Sequence, residues 1–296
     1  MKFLGLLLVL VFTAGGLFIA MHFNFEHFVK IVMIIVHALP GEFVIIFGCA
    51  VAAFMVANPP HVIKTTMSYF KCLSKPSAYS KKDYMELLGM MYSIFKLVRT
   101  KGWLAIEAHI ENPHDSSIFK NFPSFSSNHH AETFLCDYLR IISLGNDNPM
   151  TIESLMDEEI STIEAHHGHP GHAIQTMADG VPALGIVAAV LGVIKTMGSI
   201  TEPPEVLGGM IGGALVGTFL GVFLAYGLIG PIAGAMTARA ETEVMYYKCL
   251  KVGVLAFLQG AAPQVAVEFA RKFLPHDVQP TFQELEESLN AIPAPS

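Results

Sequence analysis

The sequence predicts an all-α, polytopic membrane protein with four transmembrane helices and a large helical cytoplasmic region. Of its 296 residues, 52% are hydrophobic and 15% are charged, and the mean hydropathy of +0.50 is too high for an ordinary soluble domain. Four apolar runs are long enough, or nearly so, to cross a bilayer. Between and after these runs, apolar residues recur at three- and four-residue steps, which is the period of an amphipathic helix.

The first apolar run, Phe3 to Ala20, has about the minimum length for a span. Its single preceding lysine also fits a signal peptide, but no A-x-A-like cleavage site follows at the right distance, so we expect a retained helix. The second span is predicted from Glu42 to Ala57, beginning at the Pro40-Gly41 break. Phe23 to Leu39 is apolar but carries charged residues and histidines. We interpret this segment as an interfacial or re-entrant helix, with a longer tilted span as the alternative.

The cytoplasmic region is predicted to be helical. One apolar face ends near Gly102 and is formed by Tyr84, Leu87, Leu88, Met91, Phe95 and Val98. A second face follows the loop Gly145 to Pro149 and is formed by Ile152, Leu155, Met156, Ile160 and Ile163. Between the two faces, Asn112 to Asn128 is rich in proline, serine and asparagine and is expected to be a connecting loop. Beyond the fourth span, Ala238 to Leu274 should continue helically with an interruption at Gly260 to Pro263.

The third span is predicted from Met177 to Met197 and the fourth within Gly208 to Pro231. The fourth run has glycine at every fourth position, namely Gly209, Gly213, Gly217 and Gly221. In an α-helix this spacing forms a stripe without side chains, which allows another helix to approach closely. We therefore expect this span to pack against protein, either a partner helix or a neighbouring copy of this chain.

These elements divide the chain into residues 1–57, 58–176, 177–236 and 237–296. The first part contains two spans and the interfacial segment, the second is cytoplasmic, the third contains spans three and four, and the fourth is a cytoplasmic tail. Of the 18 lysines and arginines, ten lie between Asn58 and Thr176 and five lie after Met236, while the turn Gly198 to Glu205 has none. Because positive residues stay on the cytoplasmic side, both hydrophilic regions and both termini are expected there.

Several other classes of protein are excluded by what the sequence lacks. The net charge is −7 and there is no basic block, so no nucleic-acid partner is expected. The four cysteines are scattered, which excludes a disulfide framework and a CxxC metal site. No glycine loop suited to phosphate is present, and no serine or cysteine has an ordered base nearby, so no enzymatic activity is expected.

A histidine cluster comprises His166, His167, His169 and His172. Imidazoles are good metal ligands, but the spacing crosses two glycines and a proline, with no i, i+4 pair on a rigid face. We interpret the cluster as a flexible polar linker that enters the third span, and we expect no metal site.

Several motifs carry a resemblance to a known family. They are LMDEEI (Leu155 to Ile160), VPALGIVAAVLGV (Val181 to Val193), VGTFLGVFLAYGLIGP (Val216 to Pro231), AVEFARK (Ala266 to Lys272), IENP (Ile110 to Pro113) and FQELEE (Phe282 to Glu287). Together they resemble the MotA family, the A subunits of the bacterial flagellar stator, over nearly the whole chain.

The resemblance implies a proton-driven, torque-generating ion channel in the bacterial inner membrane. In this family, a pentamer of A subunits surrounds two B subunits of the MotB type, whose peptidoglycan-binding domains anchor the complex. Ion flow turns the A ring against a rotor switch protein of the FliG type. No cofactor is implied, and the proton is the transported ion.

Spans three and four contain no carboxylate in their interiors: Asp179 lies at the inner end, and Glu202 and Glu205 lie in the outer turn. A proton channel needs a titratable group in the membrane. The sequence therefore predicts that the B subunit supplies it, consistent with the aspartate that the resemblance implies.

Three residues are assigned to the ion path through the resemblance: Ala189, Thr218 and Tyr226. At the position of Ala189, sodium-driven relatives usually have threonine, and alanine cannot coordinate a desolvated cation, which points to protons. Thr218 is the strongly polar side chain deep in span four before Tyr226. Its alternative role is a hydroxyl that donates to the carbonyl of its own helix.

The resemblance also assigns coupling and rotor contact. Pro182 and Pro231 match the prolines that link ion binding to movement of the cytoplasmic part, with simple helix boundaries as the alternative. Arg99 and Glu107 match charges that face the rotor, and would lie within about 80° of each other on an unbroken helix. An ExbB/TolQ-type energy transducer and a metal-ion transporter are the alternative functions. The first normally has three spans, and the second needs polar ligands that the spans lack.

Overall fold

The computed structural model describes residues 2–72 and 78–292, which form helices and, within those ranges, no strand. Two compact units are formed from interleaved segments of the chain. Unit 1 comprises Met1–Pro76 and Gly168–Ala238, and unit 2 comprises Ser77–His167 and Arg239–Ser296.

Unit 1 consists of long apolar helices. It contains α1 (Lys2–Ala20), α2 (Phe25–Ala57), α3 (Pro60–Cys72), the second part of α8 (Pro149–Met197), α9 (Pro204–Val222), a π-helical segment (Phe223–Ile229) and the start of α10 (Gly230–Leu258). Within the described residues, three continuous helices are long and apolar enough to cross a membrane: Phe25–Ala57, Pro149–Met197 and Pro204–Leu258. Helix α1 is apolar but shorter.

Helix α2 runs without interruption from Phe25 to Ala57, so the break expected at Pro40-Gly41 is absent. The separate helix predicted for residues 23–39 is therefore wrong, because this segment continues into the predicted second span. The continuous helix is long and apolar enough to cross a membrane, as the alternative of one longer span requires. The helix begins at Asn24, whose side chain accepts hydrogen bonds from the backbone of Glu26 and His27 at 3.1 Å each. Pro40 removes one backbone hydrogen bond, and this cost is small against a helix of 33 residues packed along α9.

Unit 2 contains the remaining helices. They are α4 (Lys81–Lys101), α5 (Glu107–Glu111), α6 (Pro123–Ser126), α7 (His129–Ser143), the first part of α8, the rest of α10, α11 (Pro263–Phe273) and α12 (Phe282–Ala291). Short 3₁₀ turns occur at Trp103–Ile106, Pro113–Asp115 and Phe119–Asn121.

The core of unit 2 confirms the predicted face of α4, because all six of its apolar residues are buried. The helix ends at Gly102, whose φ of +82° suits glycine. On α8, Ile152, Met156 and Ile160 are buried as predicted, whereas Leu155 is 46% exposed. The helical break between α10 and α11 also lies where it was expected.

The segment 112–128 is more ordered than a simple connecting loop. It forms three short helical turns, and its aromatic residues Phe119 and Phe125 are buried with stacked rings 5.8 Å apart. Pro113 and Pro123 each begin such a turn, a position that proline favours.

The unit boundaries differ from the predicted parts of the chain, which ended at residues 57, 176 and 236. Helix α3 belongs to unit 1, where Val62 and Thr66 are buried, and residues 168–176 of α8 also belong there, with Ala173 and Ile174 buried. The predicted boundaries were set from hydropathy alone, at the ends of the apolar runs. The packed helices of unit 1 extend beyond those ends.

Candidate functional site

Helices α8 and α9 approach each other at glycine. A Cβ at Gly221 would lie 2.9 Å from the Cα of Gly185, and a Cβ at Gly185 would lie 2.7 Å from the carbonyl oxygen of Gly217. Backbone atoms at these distances leave no space for a side chain. The inner half of the glycine stripe is its C-terminal half, Gly217 and Gly221. It therefore packs against α8 of the same chain.

The outer half of the stripe, the N-terminal half with Gly209 and Gly213, is more open. A Cβ at Gly213 would make an ordinary contact of 3.7 Å with Ala38 of α2, and none of the described heavy atoms lies within 4 Å of a Cβ at Gly209. A partner helix could therefore use this outer half, while α8 already covers the inner half.

The carboxylate of Glu42 lies at the crossing of α8 and α9. Its Oε2 is 2.7 Å from the position of a Cβ at Gly217, and its Oε1 is 3.7 Å from that of a Cβ at Gly192. Oε2 is buried and has no hydrogen-bond partner among the residues that the structure describes. An unpartnered carboxylate inside an apolar helix bundle is costly, and such groups normally serve a function.

Glu42 was missed because the predicted break at Pro40-Gly41 placed it at the start of a span. In the continuous helix α2 it lies well inside the apolar run instead. The Asn24 cap was the available signal, since an asparagine before an apolar run marks a helix start.

A cleft of about 530 Å³ opens beside Glu42, between α2, α8 and α9. Its lining includes the polar side chains of His37, Lys195 and Thr196. Thr196 donates to the carbonyl of Gly192 at 2.9 Å, so its hydroxyl is partly occupied. The rest of the lining is mainly apolar residues and glycine, so His37 and Lys195 are isolated polar groups in the opening beside Glu42.

Ala189 and Thr218 lie near the same crossing. The backbone nitrogen of Ala189 is 3.0 Å from the position of a Cβ at Gly217, the residue before Thr218. Thr218 is half-buried, and its hydroxyl makes no hydrogen bond within the described part of the chain. Thr237, by contrast, donates to the carbonyl four residues earlier at 3.2 Å. The predicted alternative, a hydroxyl bonded to its own helix, is therefore not what the structure has at Thr218.

Tyr226 lies in the π-helical segment and is 70% exposed. At the end of this segment the backbone N–H of Gly230 donates to the carbonyl of Ala225, five residues earlier. Pro231 follows at once and has no N–H, so the carbonyl of Gly227 lacks the α-helical donor that would be four residues ahead. The wider turn before the proline is a common response to such a defect and is frequent at functional sites.

Pro182 lies inside α8, which continues for fifteen residues to Met197 (197 − 182). The alternative of a helix boundary therefore does not hold for this proline. Pro231 likewise lies within the continuous helical stretch Pro204–Leu258. Both prolines remain candidates for local flexibility inside long helices.

Arg99 and Glu107 are both exposed in unit 2, and neither forms an ion pair within the described residues. Gly102 ends α4 between them, so they do not share one helix and the predicted angle of about 80° does not apply. Glu107 begins α5, and α5 is held to α7 by the ion pair of Glu111 with Arg140 at 2.7 Å. The two charges are thus available to an external partner, from two separate elements.

The histidine cluster is helical, so the flexible linker predicted there is wrong. All four histidines belong to α8, where His167 lies 2.7 Å from Glu243 of α10. Gly171 permits close packing, because a Cβ there would lie 2.5 Å from Oγ1 of Thr237. Within the described residues, this cluster does not place three metal-ligating atoms together.

Comparisons of the sequence with known proteins show the family to which this chain belongs. Residues 3–102 match the family described as Motility protein A N-terminal, and residues 126–249 match the MotA/TolQ/ExbB proton channel family. Motility protein A of Salmonella typhimurium is 41% identical over 257 residues, 87% of each chain. Chemotaxis protein LafT of Vibrio parahaemolyticus is 32% identical over 288 residues, covering 97% of this chain and 98% of that one.

Two solved structures have a similar fold. The flagellar MotAB stator complex from Bacillus subtilis contains a chain with a TM-score of 0.69 and 27% identity, covering 92% of this chain and 95% of that one. MotAB of C. jejuni gives a TM-score of 0.71 at 19% identity, with 93% and 96% covered.

Proposed function

Since this chain belongs to the motility protein A family, we propose that it is the flagellar stator subunit that conducts protons and converts their flow into torque. It acts with a B subunit of the MotB type in a membrane complex. The observation that carries the proposal is the crossing of α8 and α9 at Gly217, where Oε2 of Glu42, buried and without a hydrogen-bond partner among the described residues, lies beside the backbone of Ala189. Thr218 is the next residue along α9.

The crossing can support proton transfer in a simple sequence of steps. The cleft that contains His37 and Lys195 gives protons access to Glu42, whose carboxyl group can accept one and release it again. The hydroxyl of Thr218 can donate and accept in turn, so it can pass a proton on. The aspartate of the B subunit acts as the carrier, and Tyr226 borders the exit. Protons are favoured over sodium because Ala189 adds no oxygen ligand for a metal cation.

The proton step must be coupled to movement. Pro182 and Pro231 interrupt the backbone hydrogen bonding of α8 and of the α9–α10 stretch, both of which supply residues to unit 1 and to unit 2. Local flexibility at these prolines would let protonation near Thr218 change the direction of the helices that continue into the cytoplasm. No cofactor takes part in these steps.

The membrane arrangement follows from the helices and the positive-inside rule. We infer four spans: α1, α2, the second part of α8, and α9 with the π-helical segment. Both termini lie in the cytoplasm of a bacterial cell, and the complex lies in its inner membrane. Five copies of the chain surround two B subunits, and Arg99 and Glu107 contact a rotor switch protein of the FliG type.

A swimming assay tests the ion assignment. Cells that carry this chain and its B subunit should stop when a proton uncoupler is added, and should continue when sodium is removed. Swimming that depends on sodium and survives the uncoupler would contradict proton conduction. Cells without the chain should not swim in either medium, which provides the control.

A further inference from the structure

Three metal-ligating side chains lie together in unit 2, away from the ion path. His114 comes from the turn Pro113–Asp115, and His129 and Glu132 come from the first turn of α7. One ligand atom of each lies within 4.8 Å of those of the other two, and the two imidazole rings have centroids 5.5 Å apart.

Glu132 is an unusual member of this group because it is buried. Its side chain belongs to a residue only 5% exposed, and its Oε2 has no hydrogen-bond partner in the described ranges. A buried carboxylate without a partner is costly, and the N-terminal end of α7 offsets only part of the charge. A cation held between Glu132 and the two exposed histidines would give that oxygen its missing partner.

The surroundings favour imidazole and carboxylate as the ligands. Cys136 lies one turn further along α7, but burial, and then the charge of Glu132, raise the pKa of its thiol to about 12. A protonated thiol is a poor ligand, so a thiolate site is not expected there. Two histidines and one carboxylate suit zinc and neighbouring first-row divalent ions.

We propose that His114, His129 and Glu132 bind a divalent first-row transition ion of the zinc type, with water in the open coordination positions. In a tetrahedral zinc site, ligand atoms are about 3.4 Å apart, given bond lengths of about 2.1 Å. The ligand atoms lie within 4.8 Å of one another, and the two histidines are exposed, so closing the site to this separation requires rotation of the two imidazole side chains. Solvent access to the two rings supplies the entry route.

The bound ion would link two segments that are adjacent to α5. The turn Pro113–Asp115 follows α5 directly, and Arg140 of α7 already pairs with Glu111 at the end of α5. A metal at His114 would add a second link between this segment and α7. Any effect on the contact of Glu107 with the rotor rests on the proposed function, whereas binding of the ion does not.

The test is a metal titration of the full-length chain, extracted from membranes in detergent and stripped of metal with a chelator. Calorimetry with Zn²⁺ and visible absorption with Co²⁺ should show one site per chain, and the site should be weakened in His114→Ala, His129→Ala and Glu132→Gln. We expect each variant to bind Zn²⁺ more than about tenfold more weakly. His130→Ala is the matched control, since His130 is also exposed on the first turn of α7 but lies outside the group.

Two results would overturn the proposal. One is a wild-type chain without a site of this kind, and the other is equal Zn²⁺ affinity in the three ligand variants and His130→Ala. The first two substitutions are at exposed positions, so a folding defect does not obscure the comparison. A chain that binds Zn²⁺ here but does not support swimming would contradict the proposed function and leave the metal site intact.

Discussion

Oε2 of Glu42 lies 2.7 Å from the point that a Cβ at Gly217 would occupy. The absence of a side chain at Gly217 therefore makes room for a carboxylate at the crossing of α8 and α9. The backbone nitrogen of Ala189 and the Cβ of Ala188 border the same point at 3.0 and 3.2 Å. Close helix packing and the position of a titratable group thus depend on the same glycine.

Gly217→Ala should destabilise the packing of α8 on α9 and displace Glu42. The added methyl group would meet the carboxylate and the backbone of α8, and overpacking of this kind costs about 1–3 kcal/mol. We expect a lower melting temperature in detergent and reduced swimming. Gly209→Ala is the matched control for the melting temperature, because it makes the same change on the same helix where the described atoms leave space. Equal melting temperatures for the two variants would contradict the packing argument.

Glu42→Gln tests whether the carboxylate carries protons or only fills space. Glutamine has nearly the same shape but does not titrate, so we expect proton flux and swimming to be lost while the chain still assembles with its partner. Flux can be measured as acidification of vesicles that contain the complex. Glu205→Gln is the control, since Glu205 is exposed in the first turn of α9. Normal flux through the glutamine variant would limit Glu42 to a packing role.

Much of unit 2 could be predicted because its signals are local. The apolar face of α4 has a clear three- and four-residue period, and Gly102 ends the helix with a positive φ that glycine tolerates best. Each of these features depends on residues within one or two turns. Their agreement with the structure shows that the local pattern and the tertiary fold require the same conformation here.

The errors in unit 1 have a common physical cause. Pro40 and the run of glycine and proline near Pro170 were interpreted as breaks, although α2 and α8 continue through them. Rules for helix breakers describe helices in water, whereas in a long packed helix the contacts outweigh one lost hydrogen bond. Gly171 allows α8 to lie close to Thr237 of α10. A contact between residues so far apart in the sequence cannot be predicted from local rules for helix breakers.

The candidate site was only partly predictable for a related reason. Thr218 and Ala189 were assigned through family motifs, but Glu42 depends on how α2 faces two helices far away in the sequence. His114 and Glu132 are likewise separated by eighteen residues (132 − 114), and only the folded chain brings their ligand atoms together. The spacing of residues along the chain does not show which distant residues come together in the fold.

Charge reversal at the exposed residues Arg99 and Glu107 tests the proposed rotor contact. Arg99→Glu and Glu107→Lys should each reduce torque while leaving assembly intact, because neither side chain forms an ion pair within the described residues. Torque can be measured from the rotation of tethered cells, and reversal of the facing charge on the rotor should restore part of it. Glu153→Lys is the control, an exposed carboxylate on α8. Normal torque in both single variants and in their combination would exclude an electrostatic contact.

Pro231→Ala tests whether the π-helical segment couples proton flow to movement. Alanine supplies an N–H that can donate to the carbonyl of Gly227, so the segment Phe223–Ile229 should change toward a regular α-helix. That change would turn the side chain of Tyr226 relative to α10, and we expect motor rotation to slow or stop in a complex that still assembles. Pro204→Ala is the matched control, because Pro204 occupies the first turn of α9, where a missing N–H has no helical partner to lose. Assembly is measured by co-purification of the B subunit and rotation by the tethered-cell assay. If Pro231→Ala rotates as fast as Pro204→Ala, the proline and its π-helical segment are structural features without a role in coupling.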